Sequence, residues 1–166
     1  MFMKRTKSKG LSMSNEALFR IGEEKDANVL AKFNIAMAWE TEQKKLTPDV
    51  VAQGVRTLLK DSRYGFYVVA EIDHEVVGSL MVTYEWSDWR DATFWWIQSV
   101  YIKPEFRKQG VFRRLYEFVK EKALHDMNVC GLRLYAEQDN IPAQNTYEKI
   151  GMRQIPYKLY EESFES

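Results

Sequence analysis

Gln98–Leu115 reads QSVYIKPEFRKQGVFRRL, and it decides the fold. Gln98 to Ile102 closes a β-branched and aromatic run that begins at Thr93 and ends at Pro104. An amphipathic helix follows from Val111 to Met127, with Val111, Leu115, Phe118, Val119 and Ala123 on one face. Arg107, Lys108, Gln109 and Gly110 join the two. Backbone N–H groups at a helix start have no partner within the helix, and the macrodipole adds positive charge there. A glycine lets that backbone approach an anion closely. A strand, a basic glycine-bearing turn and a helix therefore form a phosphate cradle, with Arg107, Lys108, Arg113 and Arg114 adding charge. Neither GxGxxG nor GxxxxGK[ST] is present, so dinucleotide and P-loop chemistry are not indicated. Taken alone, the loop also reads as a solvated basic helix end or a weak RNA-binding patch.

Working outward, Ala17–Ile21 reads as a first strand, 26–45 as a helix opened by Asp26, and 48–60 as a second helix with Pro48 at its first position. Tyr64–Ile72 and Val76–Trp86 read as a hairpin turning at Asp73-His74. After the 111–127 helix come a strand at 132–137, a short helix at 140–149 stopped by Gly151, and a last strand over 153–161. The order is β-α-α-β-β-β-α-β-α-β. The unit 93–137 requires a right-handed crossover between parallel strands. The expectation is an α/β fold: a mixed, mostly antiparallel sheet, a parallel strand pair at a ligand crevice, and helices on both faces.

Composition sets the frame. The 166 residues carry 24 basic and 24 acidic side chains. Residues 1–12 hold four of the basic ones and no acid, leaving 20 against 24, a net −4, for 13–166. This predicts a disordered basic leader over 1–12 and a single domain over 13–166, with no nucleic-acid partner and no membrane span. Cys130 is the only cysteine, so no intrachain disulfide forms, and a cytoplasmic location is expected. Its flanks read as a strand and make it a buried structural thiol. His74 and His125 are the only histidines, and no spacing suggests a metal site.

Two motifs resemble those of the GCN5-related N-acetyltransferase superfamily, and the likeness runs over about residues 15–160. One is Val100-Tyr101-Ile102-Lys103-Pro104 followed by Arg107-Lys108-Gln109-Gly110-Val111-Phe112, with Phe112 where a small residue is usual. The other is Asn140-Ile141-Pro142-Ala143-Gln144-Asn145-Thr146-Tyr147-Glu148-Lys149-Ile150-Gly151, followed by Met152 where Phe is usual. The resemblance implies acetyl transfer from acetyl-CoA to an amine. It implies that Val100, Tyr101 and Ile102 carry backbone groups for the pantetheine arm. Backbone N–H groups from Lys108 to Arg113, through Gln109, Gly110, Val111 and Phe112, would hold the pyrophosphate beside Arg107, and Asn140 would contact pantetheine or cap its helix. Tyr147 would protonate the leaving thiolate, a phenol of pKa ~10 meeting a thiolate of ~8.5.

A glutamate on the long third strand serves as base in several family members. Trp96 and Gln98 occupy such positions here. Glu40 and Glu85 are the candidate catalytic carboxylates, acting through water. Glu40, Glu42, Glu85, Trp86, Trp96 and Gln98 are the candidate acceptor-binding set, since carboxylates and indole faces suit a cationic amine. Segments 30–42 and 82–102 resemble more weakly the branch that acetylates polyamines and diamines. The function expected is acetylation of a small cationic amine. A protein or peptide amine, or a non-catalytic CoA-binding module, are the alternatives. A homodimer, frequent in this family, would fit the exposed aromatics.

Overall fold

The computed structural model describes residues 17–164, in two compact units, the first running to Leu134 and the second starting at Tyr135. The first unit contains β1 (Leu18–Ile21), α1 (Ala27–Glu42), α2 (Pro48–Lys60), β2 (Phe66–Ile72), β3 (Glu75–Ser87), β4 (Ala92–Ile102), α3 (Val111–His125) and β5 (Val129–Leu134). The second contains α4 (Ile141–Lys149). The leader expected at 1–12 lies outside the described residues.

The strands form one sheet in the order β1-β2-β3-β4-β5. Its first three pairings are antiparallel, and β4 with β5 is parallel. This is the mixed sheet expected from the element order. The β2–β3 hairpin turns through Asp73 and His74, at φ 51° and 64°. Two left-handed residues match the right-handed twist of the strands they join.

Helices cover both faces. Leu30 and Ala31 of α1 and Val55 of α2 pack with Tyr67 and Val69 of β2, and Met81 of β3 borders them. Alternation along the strands sends Val68, Leu80 and Val82 to the other face, and α3 contributes Leu115 and Val119, all five fully buried. Each such side chain stabilises the fold by roughly 1.5–3 kcal/mol.

The helix expected at 26–45 opens and closes differently. Asp26 does not cap it through its side chain. Its buried carboxylate accepts from Arg20 Nη1 at 2.7 Å and from the Glu23 N–H at 2.8 Å. Burial pushes the Asp26 carboxyl up, but these donors outweigh it and hold it below the usual carboxylate range. At the other end Gln43 is left-handed, and its N–H bonds Trp39 O at 3.2 Å, so α1 stops at Glu42.

Two further expectations need correction. The strand placed at 132–137 runs instead over Val129–Leu134. Gly131 argues against a strand by propensity, yet a Cβ there would lie 2.8 Å from Phe94 Cε1. The glycine thus admits the close approach that the parallel pair requires. Cys130 lies in this strand half-buried rather than buried.

The last strand, expected over 153–161, does not form. Pro156 removes a ladder donor and restrains its own φ. Tyr157, Leu159 and Tyr160 are exposed, so no packing offsets the entropy of extending the segment.

Candidate functional site

Strand β4 changes character along its length. Its first half pairs on both sides, with β3 and with β5, as far as Ile97 and Leu134. Beyond Ile97 only β3 pairs with it among the described residues. Between the pairs Met81–Gln98 and Ser79–Tyr101, two β4 residues face Leu80 alone. Such a bulge bends its strand and breaks the ladder, and Ser99 adopts φ 49° to make it. From Gln98 to Ile102, where Val100, Tyr101 and Ile102 lie, no strand pairs with the other edge of β4 among the described residues, and the Ile102 carbonyl accepts from Arg107 Nε at 2.8 Å. An extended amide-bearing chain can add to such an edge as a strand would.

The edge leads into the signature turn. Pro104–Phe106 forms a single 3₁₀ turn. Lys108 and Gly110 then take φ 60° and 79° before α3 begins at Val111. A Cβ at Gly110 would meet nothing within 4 Å, so the backbone there is open to a ligand. Gln109 Nε2 ties the turn to Glu105 O at 2.7 Å.

Most of the basic side chains that sequence reading gave to the phosphates are engaged with protein groups. Arg107 Nη2 pairs with Glu40 Oε2 at 2.6 Å, and Arg113 Nε pairs with Glu117 at 2.8 Å. Arg114 lies 4.6 Å over the Phe19 ring. Phe112, on the first turn of α3, packs its ring toward Tyr116. The cradle is consequently a backbone one, built from the N–H groups that open α3, together with the exposed Lys108.

The candidate acceptor residues divide. Thr83, Glu85, Trp96 and Gln98 stand on one face of β3 and β4. Gln98 Nε2 donates to Thr83 Oγ1 at 2.6 Å, and the Trp96 indole N–H donates to Glu85 Oε2. Arg133 of β5 joins them, its Nη1 2.7 Å from Glu85 Oε1 and its guanidinium 3.7 Å over Phe94. Trp86 follows Glu85 on β3 and so projects to the opposite face. Glu40 and Glu42 sit at the end of α1, where Glu40 joins Arg107 and Tyr101 rather than Glu85. Glu42 is exposed.

Sequence reading overlooked Arg133 and Phe94. The signal was present in Leu132-Arg133-Leu134: a charge between two leucines on a strand needs a partner to stay there.

The second unit holds the other motif. Asn140 caps α4, its Oδ1 accepting from the Ala143 N–H at 3.2 Å. Burial pushes the Tyr147 phenol up, so it keeps its proton at neutral pH.

A strand that is paired in parallel over its first half, bulged beyond it and followed by a turn and a helix N-terminus suits an extended, phosphate-bearing ligand. The chain belongs to the acetyltransferase (GNAT) family, whose model matches residues 31–152.

Streptothricin acetyltransferase of Escherichia coli is 34% identical over 82 residues, 49% of this chain and 44% of that protein. Thialysine N-epsilon-acetyltransferase of Bos taurus is 30% identical over 80 residues, 48% and 46% respectively. The matched stretch spans about half the length of this chain and less than half of either relative. The crystal structure of a possible acetyltransferase from Clostridium difficile 630 superposes with a TM-score of 0.85 at 43% identity, over 90% of this chain and 99% of that one. Among the described residues no helix is long and apolar enough to cross a membrane.

Proposed function

We propose that this protein transfers the acetyl group of acetyl-CoA to a primary amine on a small cationic molecule. The observation that carries the reading is the β4 edge from Gln98 to Ile102, unpaired by any described strand, which runs directly into the backbone cradle at the start of α3. The edge suits the amides of pantetheine, and the cradle suits the pyrophosphate beyond them. In this reading a β4 N–H near the bulge holds the thioester oxygen as the amine attacks. The tetrahedral intermediate then collapses, the C–S bond breaks, and Tyr147 gives its proton to the departing thiolate. Asn140 acts as the cap that fixes the start of the Tyr147 helix.

On the acceptor side we assign Glu85, Trp96 and Gln98. Glu85 accepts from Trp96 and Arg133, yet a carboxylate offers about four acceptor positions, and its side chain keeps 40% of its exposure. It can therefore receive an ammonium, whose proton leaves through water. The acceptors in the names of the two relatives, streptothricin and the ε-amine of thialysine, agree with a small amine rather than a protein.

Release of free thiol from acetyl-CoA tests this across polyamines, lysine-like amino acids, aminoglycosides and peptides. Turnover on a small diamine or amino acid is expected. Turnover on peptides alone would move the acceptor class to protein amines. A silent panel with acetyl-CoA still bound would make the protein a binding module.

A further inference from the structure

A guanidinium at the head of an anion cradle reads first as a phosphate ligand, and a glutamate in α1 reads first as a base. The geometry assigns both differently. We propose that Glu40 is a positioning residue for the donor site: through Arg107 and Tyr101 it holds the 107–110 turn in the shape that receives the pyrophosphate. This rests on the donor-site reading above.

The contacts close a ring around the base of the turn. Glu40 Oε2 accepts from Arg107 Nη2 at 2.6 Å, and its Oε1 accepts the Tyr101 O–H at 3.2 Å. Arg107 Nε donates to the carbonyl of Ile102, the last residue of β4, at 2.8 Å. The guanidinium lies 5.4 Å from the Tyr101 ring centroid, and Phe33 of α1 sets its own ring 4.8 Å from that of Tyr101. Arg107 is thus fixed by hydrogen bonds to a helix and to a strand end, and by a ring. Its Nε and Nη2 are both engaged by protein oxygens.

The next residue shows why such a clamp matters. Lys108 adopts φ 60°, a region that costs a non-glycine residue about 1 kcal/mol or more and persists only where its surroundings impose it. Gln109 fastens the far side of the turn through Glu105, and Glu40 fastens the near side through Arg107. Without Glu40 the turn samples other shapes, and the donor must order it on binding.

Charge alone predicts the opposite sign. Removing an anion that neutralises Arg107 beside a phosphate cradle would strengthen the local positive field and tighten a polyanionic ligand. The two accounts therefore separate on the direction of one measurement.

The experiment is calorimetric titration of CoA, without acceptor, into the full chain and its Glu40→Gln, Arg107→Gln and double variants. Tyr101→Phe, which keeps the ring and loses one hydroxyl, is the milder companion. A melting curve accompanies each. The expected result is a donor Kd raised about ten-fold in each single variant at positions 40 and 107. The double variant should be no weaker than the worse single one, and Tyr101→Phe should lose two- to three-fold, an order-of-magnitude expectation for one neutral hydrogen bond. Steady-state rates should place the Glu40→Gln loss on the KM for acetyl-CoA, with the acceptor KM and the melting temperature little changed. Unchanged or tighter CoA binding in Glu40→Gln overturns the proposal. So do additive losses in the double variant, which would make Arg107 an independent phosphate ligand. So does a loss carried by kcat with a shifted pH profile, which would make Glu40 a base. If the unmutated protein binds no CoA, the donor-site reading fails first and takes this inference with it.

Discussion

The two halves of β4 are each flanked by the same kind of charge pair, and the two pairs stand in different surroundings. At the C-terminal end Glu40 of α1 meets Arg107 of the turn at 2.6 Å, and in the N-terminal half Glu85 of β3 meets Arg133 of β5 at 2.7 Å. The first pair joins a helix to a turn containing two left-handed residues. Its surroundings are backbone that must be held, and in the proposed reading the pair shapes the donor surface without being part of it. The second pair lies across three strands, among Phe94, Trp96 and Thr83, where β4 is paired on both sides. There the side chains themselves are the surface. An ion pair near the protein surface contributes little stability in either place. What each does is set by whether the backbone beside it is already determined.

The largest effect should come from neither pair. Tyr147→Phe should lower kcat about 100-fold, the size of one acid–base contribution, while leaving CoA affinity and the melting temperature near their wild-type values. Burial raises this phenol, so it loses its proton only above its ordinary value of about 10. The wild-type kcat should accordingly show no alkaline fall up to about pH 9, and a fall beginning near neutrality would remove Tyr147 as the acid.

Next come the glycines opposite the two halves. A Cβ on Gly78 would sit 2.6 Å from Ile102 Cδ1 and 3.2 Å from Tyr101 O, at the donor end. Gly78→Val should destabilise by about 1–3 kcal/mol and weaken CoA several-fold, because backbone as well as side chain must give. Gly131→Ala presses only on the Phe94 ring, at 2.8 Å. Its cost should be smaller, and it should appear in the acceptor KM, since Arg133 stacks on that ring. Denaturant melts and separate donor and acceptor titrations check both. Equal effects on both substrates would erase the distinction between the halves.

Much of this was readable in the sequence, and the reasons are local. The crossover, the turn and the α4 cap are written in short-range chemistry: β-branched runs, Pro104, Gly110, and Asn140 three residues before Ala143. The partners of Glu40 and Glu85 were not legible. Arg107 is 67 residues from Glu40, and Arg133 is 48 from Glu85. Only the register of β3, β4 and β5 and the landing point of α1 bring them together. The register itself depends on the bulge at Ser99 and the missing Cβ at Gly131, neither of which leaves a period-two signal. The absent last strand failed for a related reason. Alternation over 153–161 reports a capacity to pair, and a strand exists only where an edge accepts it.

The smallest effect tests the acceptor end directly. Glu85→Gln keeps the side chain's shape and an oxygen for the Trp96 indole N–H, but it removes the charge facing Arg133. If the carboxylate receives a cationic amine, the acceptor KM should rise about two-fold, the value of a solvent-screened ion pair. The CoA Kd should not move, because Glu85 of β3 lies beside the half of β4 that stays paired on both sides. Arg133→Met separates the roles further. It frees Glu85 of its partner while an apolar chain still covers Phe94. If Arg133 only neutralises Glu85, a diamine should bind as well or better. If Arg133 itself receives a carboxylate of the acceptor, amino acids should lose affinity while diamines keep theirs. Comparing the two acceptor types in this one variant therefore shows which charge of the pair faces the substrate.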